Sequence, residues 1–189
     1  MLADRVTKFL QETNIVIDAD KEVVKFGLES LVGNLLGIIL TLSVGACFDC
    51  FVDAVCLWLF LFPLRKTAGG FHASTKISCF FISTILLVIS FALFSVLDQS
   101  FHLNVICTVI TSGIIWIFAP VENAVKQLDV IEYKIYQVRS RRLLLLGDII
   151  LAFALHFQFD TVIRSISMAF FIVSVSVLLG IIKCKRKRI

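Results

Sequence analysis

A base, a thiol and two adjacent glycines stand close together in the stretch Arg65-Lys66-Thr67-Ala68-Gly69-Gly70-Phe71-His72-Ala73-Ser74-Thr75-Lys76-Ile77-Ser78-Cys79. Cysteine attacks as the thiolate, and a neighbouring imidazole can take its proton and return it to a departing amine. His72 and Cys79 are therefore candidates for a nucleophile and its acid–base partner in acyl transfer. On one straight helix their side chains would share a face but stand about 10 Å apart along the axis. No proton crosses that gap directly. The chemistry thus requires the chain to bend before Cys79, so that His72 folds back over the start of the next helix. Gly69-Gly70 supplies backbone freedom just upstream. A cysteine near a helix N-terminus also feels a positive backbone field that favours the thiolate. The competing reading makes Cys79 a small packing residue, as Cys47, Cys50, Cys56 and Cys107 are expected to be.

Other reactive side chains carry weaker signals. Cys47 and Cys50 form a CxxC with no second pair, which is little support for a metal or redox site, and no metal or cofactor is expected. His102 and His156 fall near the ends of apolar runs and read as interfacial residues. Cys184 lies in a basic tail, where it is either lipidated or free.

The elements that position these groups follow from composition. The chain has 189 residues, 59% of them hydrophobic and 17% charged, with a mean hydropathy of +0.97. Ordinary globular domains are about 45–50% apolar and about 25% charged, so the excess belongs in lipid. A secreted disulfide scaffold, a nucleotide-binding α/β enzyme and a disordered tail are excluded. Apolar runs occur at about Leu28 to Phe48, Phe51 to Leu64, Ile77 to Leu97, Leu103 to Pro120, Leu143 to Phe159 and Ser165 to Ile182. The fold class expected is all-α: a polytopic membrane bundle of about six transmembrane helices, a single domain over 1–189. Residues 1–27 form an amphipathic interfacial segment, retained rather than cleaved, 28–182 the bundle and 183–189 a basic tail. The run at 51–64 is short for a crossing of about 20 residues, which leaves a re-entrant segment as its alternative.

Orientation follows from Lys and Arg, which accumulate on the cytoplasmic side. Placing both termini inside puts all of the 18 Lys and Arg except Arg164 in cytoplasmic segments. The net charge of +4 then reads as topology and contact with anionic lipid, and no nucleic-acid partner is expected. Asp148 lies about 8 Å into the fifth run, counted from Leu143, where a carboxylate is costly unless paired. It is either a functional partner facing the interior or an anchor reaching back toward Arg141 and Arg142. Asn34, Ser83 and Ser90 are expected to hydrogen-bond between helices.

Arg65, Gly69-Gly70, His72 and Cys79, set in a small multispan chain, resemble the accessory gene regulator B family of Gram-positive bacteria. Ala119-Pro120-Val121-Glu122-Asn123, closing the fourth run and opening a basic cytoplasmic loop, is similar to that family's second recurrent block, with Val125 and Gln127 flanking Lys126. The resemblance implies a membrane-embedded cysteine endopeptidase of the bacterial cell membrane, its active site on the cytoplasmic side. Such an enzyme processes a quorum-sensing propeptide and promotes its closure to a thiolactone or lactone. It implies His72 and Cys79 as the catalytic pair and a homodimer as the assembly. Arg65 would hold substrate carboxylates or merely mark topology. Gly70 would approach the substrate, present an N–H to the oxyanion, or only permit the turn. Glu122 would orient His72 or lie solvated at the interface. The propeptide implied is short, amphipathic at its N-terminal part and acidic at its C-terminal part. Lys126, Lys134, Arg139, Arg141 and Arg142 are candidates to grip the acidic part, or serve only topology and lipid. Two other classes share these features: a small transporter or lipid-binding scaffold, and a metal-binding membrane protein using His72, Cys79 and Asp148.

Overall fold

The computed structural model describes residues 6, 21–71, 75–97, 101–121 and 129–186. His72, Glu122 and Lys126 lie outside the described residues, as does the expected N-terminal segment up to residue 20 apart from Val6. The described residues form helices α1 (Lys21–Cys47), α2 (Phe51–Ala68), α3 (Lys76–Leu97), α4 (Phe101–Phe118), α5 (Val130–Phe157) and α6 (Asp160–Arg186). They contain no strand, only one isolated parallel bridge between Gly69 and Val121. The chain divides into two units, Met1–Leu40 and Thr41–Ile189. The first contributes the opening turns of α1, and the second holds all the other helices.

Two helical segments, Glu22–Cys47 and Asp160–Cys184, are long and apolar enough to cross a bilayer; Ile77–Leu93 and Asn104–Phe118 are shorter apolar stretches. Exposed side chains point to the same solvent. On α3, Ile77, Phe81, Ile85 and Ile89 are all exposed at four-residue spacing, and on α5 so are Ile149, Phe153 and Phe157. In water those stripes would be polar. This is a membrane protein.

Within the second unit α6 is the central helix, touching α2, α3, α4 and α5. Ile163, Ile166, Ala169, Phe170, Val173 and Val177 of α6 are buried, and so are Ser165, Ser167, Ser174 and Ser176. Lipid tails are as apolar as leucine, so close packing and polar contacts rather than hydrophobicity must join such helices. Small residues provide the closeness. A Cβ on Gly147 of α5 would lie 2.9 Å from the ring of Phe170, so that glycine seats the ring. Hydroxyls provide the polar contact: the buried Thr108 of α4 donates to Ser167 Oγ at 2.7 Å. Of the expected interhelical hydroxyls, Ser90 is buried but donates to Leu86 O of its own helix. Asn34 is exposed.

Helix bounds differ from the apolar runs in three places. The run at 51–64 is the front of an 18-residue helix, about 27 Å long at 1.5 Å per residue, because Arg65, Lys66, Thr67 and Ala68 continue its hydrogen bonding. The fourth helix ends at Phe118, before the cis Ala119-Pro120 bond. The basic stretch before Leu143 is no loop. Asp129 caps it, accepting from Val130 N at 2.7 Å, and α5 runs 28 residues from there.

Arg164 is held by Asp53 across α2 and α6. Its Nε lies 3.2 Å from Oδ1 and its Nη2 3.4 Å from Oδ2, while Ser165 Oγ donates to the Asp53 backbone oxygen at 3.1 Å. The side chains are 25% and 8% exposed. Removing one partner strands the other, so Asp53→Ala is expected to cost about 2 kcal/mol, less than a fully buried pair would. Asp53→Ala with Arg164→Leu should recover part of that loss. Thermal unfolding of the two variants in detergent checks the order.

Candidate active site

The site begins where α2 ends. Gly69 caps α2 with φ +69° and donates its N–H to Arg65 O at 3.2 Å. Gly70 has φ +123°. Both angles lie where side-chain-bearing residues are rarely found. The linker then runs between two neighbours. On one side Val121 N donates to Ala68 O at 3.0 Å, and a Cβ on Gly69 would collide with Val121 O. On the other side Phe71 N donates to Ser176 O of α6 at 2.8 Å. A Cβ on Gly70 would fall 2.6 Å from Ser176 Oγ, and one on Gly180 only 2.9 Å from Gly70 C. Lys183 caps this arrangement, its Nζ 5.0 Å from the Phe71 ring centre.

The helix that carries Cys79 starts after the linker. Thr75 is exposed, its Oγ1 accepts from Ser78 N at 3.2 Å, and its carbonyl accepts from Cys79 N at 3.1 Å. That is an N-cap followed by the first helical bond. Cys79 therefore lies in the first turn of α3, next to backbone N–H groups that lack helical acceptors. Residues 79, 82, 83 and 86 share one helical face, and that face lines a narrow pocket with Arg65, Phe71, Ser176 and Leu179. Arg65 and Cys79 thus line the same pocket. Arginine keeps its proton in proteins, so the pocket holds a fixed cation beside a thiol.

The other candidates are placed as follows. Gly70 packs on Ser176 beside this pocket. Asp148 of α5 accepts from Ser112 Oγ of α4 at 3.2 and 3.1 Å. That hydroxyl, and neither Arg141 nor Arg142, is its partner among the described residues, and Asp148 is not among the residues lining the Cys79 pocket. Lys134, Arg139 and Arg142 are exposed along α5. Arg141 lies over the Trp116 ring, 5.0 Å from its centre, a cation–π contact. At the opposite end of α2, burial and then the Asp53 carboxylate raise the pKa of Cys50. A metal or redox CxxC needs the reverse shift.

Ser176 and Gly180 were not singled out by sequence reasoning. Their four-residue spacing of small side chains is the signal that was there to read, since such pairs let another backbone come close.

The accessory gene regulator B family model matches residues 3–179, a span that includes every residue lining the Cys79 pocket. The chain belongs to the accessory gene regulator B family. The accessory gene regulator protein B of Staphylococcus aureus strain Newman and that of strain COL are each 28% identical to it over 131 residues, covering 67% of this chain and 67% of the relative. No solved structure matches the chain. In this family member the described residues of that stretch, 65–71 and 75–79, form a capped helix end, a glycine linker pinned to α6, and a new helix whose first turn presents the thiol.

Proposed function

We propose that this accessory gene regulator B family member is a membrane-embedded cysteine endopeptidase that processes a quorum-sensing propeptide. The observation that carries the reading is the pocket in which Cys79, in the first turn of α3, lies beside the Arg65 guanidinium. Cys79 Sγ attacks a peptide carbonyl of the precursor. His72 protonates the departing amine, and the C-terminal fragment leaves. The remaining acyl group is held as a thioester until a Cys or Ser side chain of the precursor takes it, closing a thiolactone or lactone ring. Water would compete for that thioester, and surrounding helices keep it out. Arg65 supports the thiolate and orients the substrate through its planar fork.

The same reading places six spans in the bacterial cell membrane with both termini and the site on the cytoplasmic side. Basic residues of the α4–α5 connection and α5, namely Lys126, Lys134, Arg139, Arg141 and Arg142, face the acidic part of the precursor and anionic lipid headgroups. The working assembly is a homodimer.

The acyl-enzyme tests the chemistry. A precursor whose ring-forming Cys or Ser is changed to Ala has nowhere to pass its acyl group. Mixed with the purified full chain in lipid vesicles, it is expected to leave its N-terminal part attached to Cys79, seen by intact-mass spectrometry and released by neutral hydroxylamine. An adduct mapped to another residue, or cleavage with Cys79 alkylated beforehand, would overturn the reading.

A further inference from the structure

Four serines of α6 are buried, and three of them have acceptors or donors for their hydroxyls. Ser165 Oγ donates to Thr161 O at 2.7 Å, Ser167 Oγ to Ile163 O at 2.7 Å and Ser174 Oγ to Phe171 O at 2.8 Å. Bonding back to the preceding turn is the ordinary fate of a helical serine. Ser176 departs from it. Only 2% exposed, its Oγ has no hydrogen-bond partner among the described residues. A hydroxyl left that way is unfavourable in any low-dielectric setting, and ordinary helix packing offers it the acceptor that its neighbours use.

Its surroundings explain the direction. Ser176 Oγ faces the linker at Gly70, where the missing Cβ leaves room for it. Its carbonyl takes the Phe71 N–H, so Ser176 is tied to the residue that precedes His72. It also borders the same pocket as Cys79 and Arg65. The free space there is about 10 Å³, at the lower limit for a single water molecule. That is room for one oxygen atom in a pocket that Cys79, Arg65 and Ser176 line together.

We infer that Ser176 is a catalytic hydrogen-bond donor of this site, its hydroxyl donating to the oxyanion that forms when Cys79 attacks the precursor carbonyl. This rests on the endopeptidase reading and deepens it. As the Sγ–C bond forms, the carbonyl π pair moves to oxygen, and Ser176 O–H donates to that negative oxygen without giving up its proton. When the carbonyl re-forms, the C–N bond breaks and the amine leaves with the proton from His72. A donor fixed before the reaction and without a competing acceptor stabilises the intermediate more than the ground state.

The test uses the full chain in phospholipid vesicles with a synthetic precursor peptide, amphipathic in its N-terminal part and acidic in its C-terminal part. Ser176→Ala is expected to lower kcat about 10²-fold, as loss of one oxyanion donor does, with KM unchanged and Cys79 alkylated by iodoacetamide at the wild-type rate. Because the hydroxyl makes no bond among the described residues, the variant should melt no lower than wild type. Ser174→Ala, which removes a hydroxyl bonded within its own helix, should cleave like wild type. Unchanged kcat in Ser176→Ala, a lower melting temperature, or a parallel loss of Cys79 alkylation would each overturn the assignment. Cys79→Ala separates the two readings. If it is inactive while Ser176→Ala is fully active, only the donor role falls; if it still cleaves, the endopeptidase reading falls with it.

Discussion

Cys79→Ala and His72→Ala are each expected to leave the precursor at full length after co-expression. The first removes the atom that forms the bond, so no acyl-enzyme arises and turnover is lost altogether. Cys79→Ser should be almost as inactive, since an alcohol is far less ionised than a thiol near neutral pH and the Arg65 field does not make up the difference. His72→Ala keeps the nucleophile but leaves the amine to depart without its acid, a loss of about 10²–10⁴-fold. Mass spectrometry of the precursor in cells carrying wild type and each variant checks all three. Cleavage that persists in either alanine variant removes that residue from the mechanism. The Cys79 variants should insert and melt as wild type does, because a half-buried sulfur is a small part of the packing.

Gly70→Ala is the second large effect. The new methyl would sit 2.6 Å from Ser176 Oγ and 3.0 Å from Ser176 O, on a residue whose φ of +123° L-residues avoid. Backbone strain of about 1–3 kcal/mol and overpacking of about 1–3 kcal/mol act together, for about 4 kcal/mol in all. The linker can relieve both only by moving off α6, which breaks the Phe71 bond to Ser176 and displaces the chain leading to His72. A misplacement of about 1 Å costs about 10²-fold in rate, so cleavage should fall at least that far even where the variant remains folded. Thermal unfolding and precursor cleavage, measured on the same preparation, separate the two losses. A Gly70→Ala chain as stable and active as wild type would mean that the linker does not rest on α6.

The helices were legible in the sequence because lipid imposes a simple pattern of long apolar runs between short polar turns. The start of α3 was legible from the apolar run at Ile77, one residue after the observed start at Lys76, whereas its Thr75 cap was not singled out, and the bend required of His72 lies outside the described residues. The first half of α5 was not, because Glu132, Lys134, Arg139 and Arg142 resemble a loop when charge is the only guide. Those residues are nonetheless helical and exposed, as a polar helix outside the hydrocarbon would be. The end of α2 was missed for the same reason, its last turn being basic. The pocket was half legible. Arg65 and Cys79 are near in sequence and were named together, whereas Ser176 comes about a hundred residues later and only the packing of α6 brings it there. Asp148 shows the opposite case: its depth announced a partner, but nothing local says that the partner is Ser112 on another helix.

The central position of α6 has a consequence for how the protein is made. It is the last of the described helices to leave the ribosome, yet α2, α3, α4 and α5 all rest against it. Until it enters the bilayer, Asp53 waits without Arg164, Thr108 without Ser167, and the Gly69-Gly70 linker without the backbone that receives Phe71. Assembly of the candidate site therefore waits for α6 and is closed by contacts far apart along the chain. On the proposed reading, a nascent chain stays inert until α6 has been made and inserted.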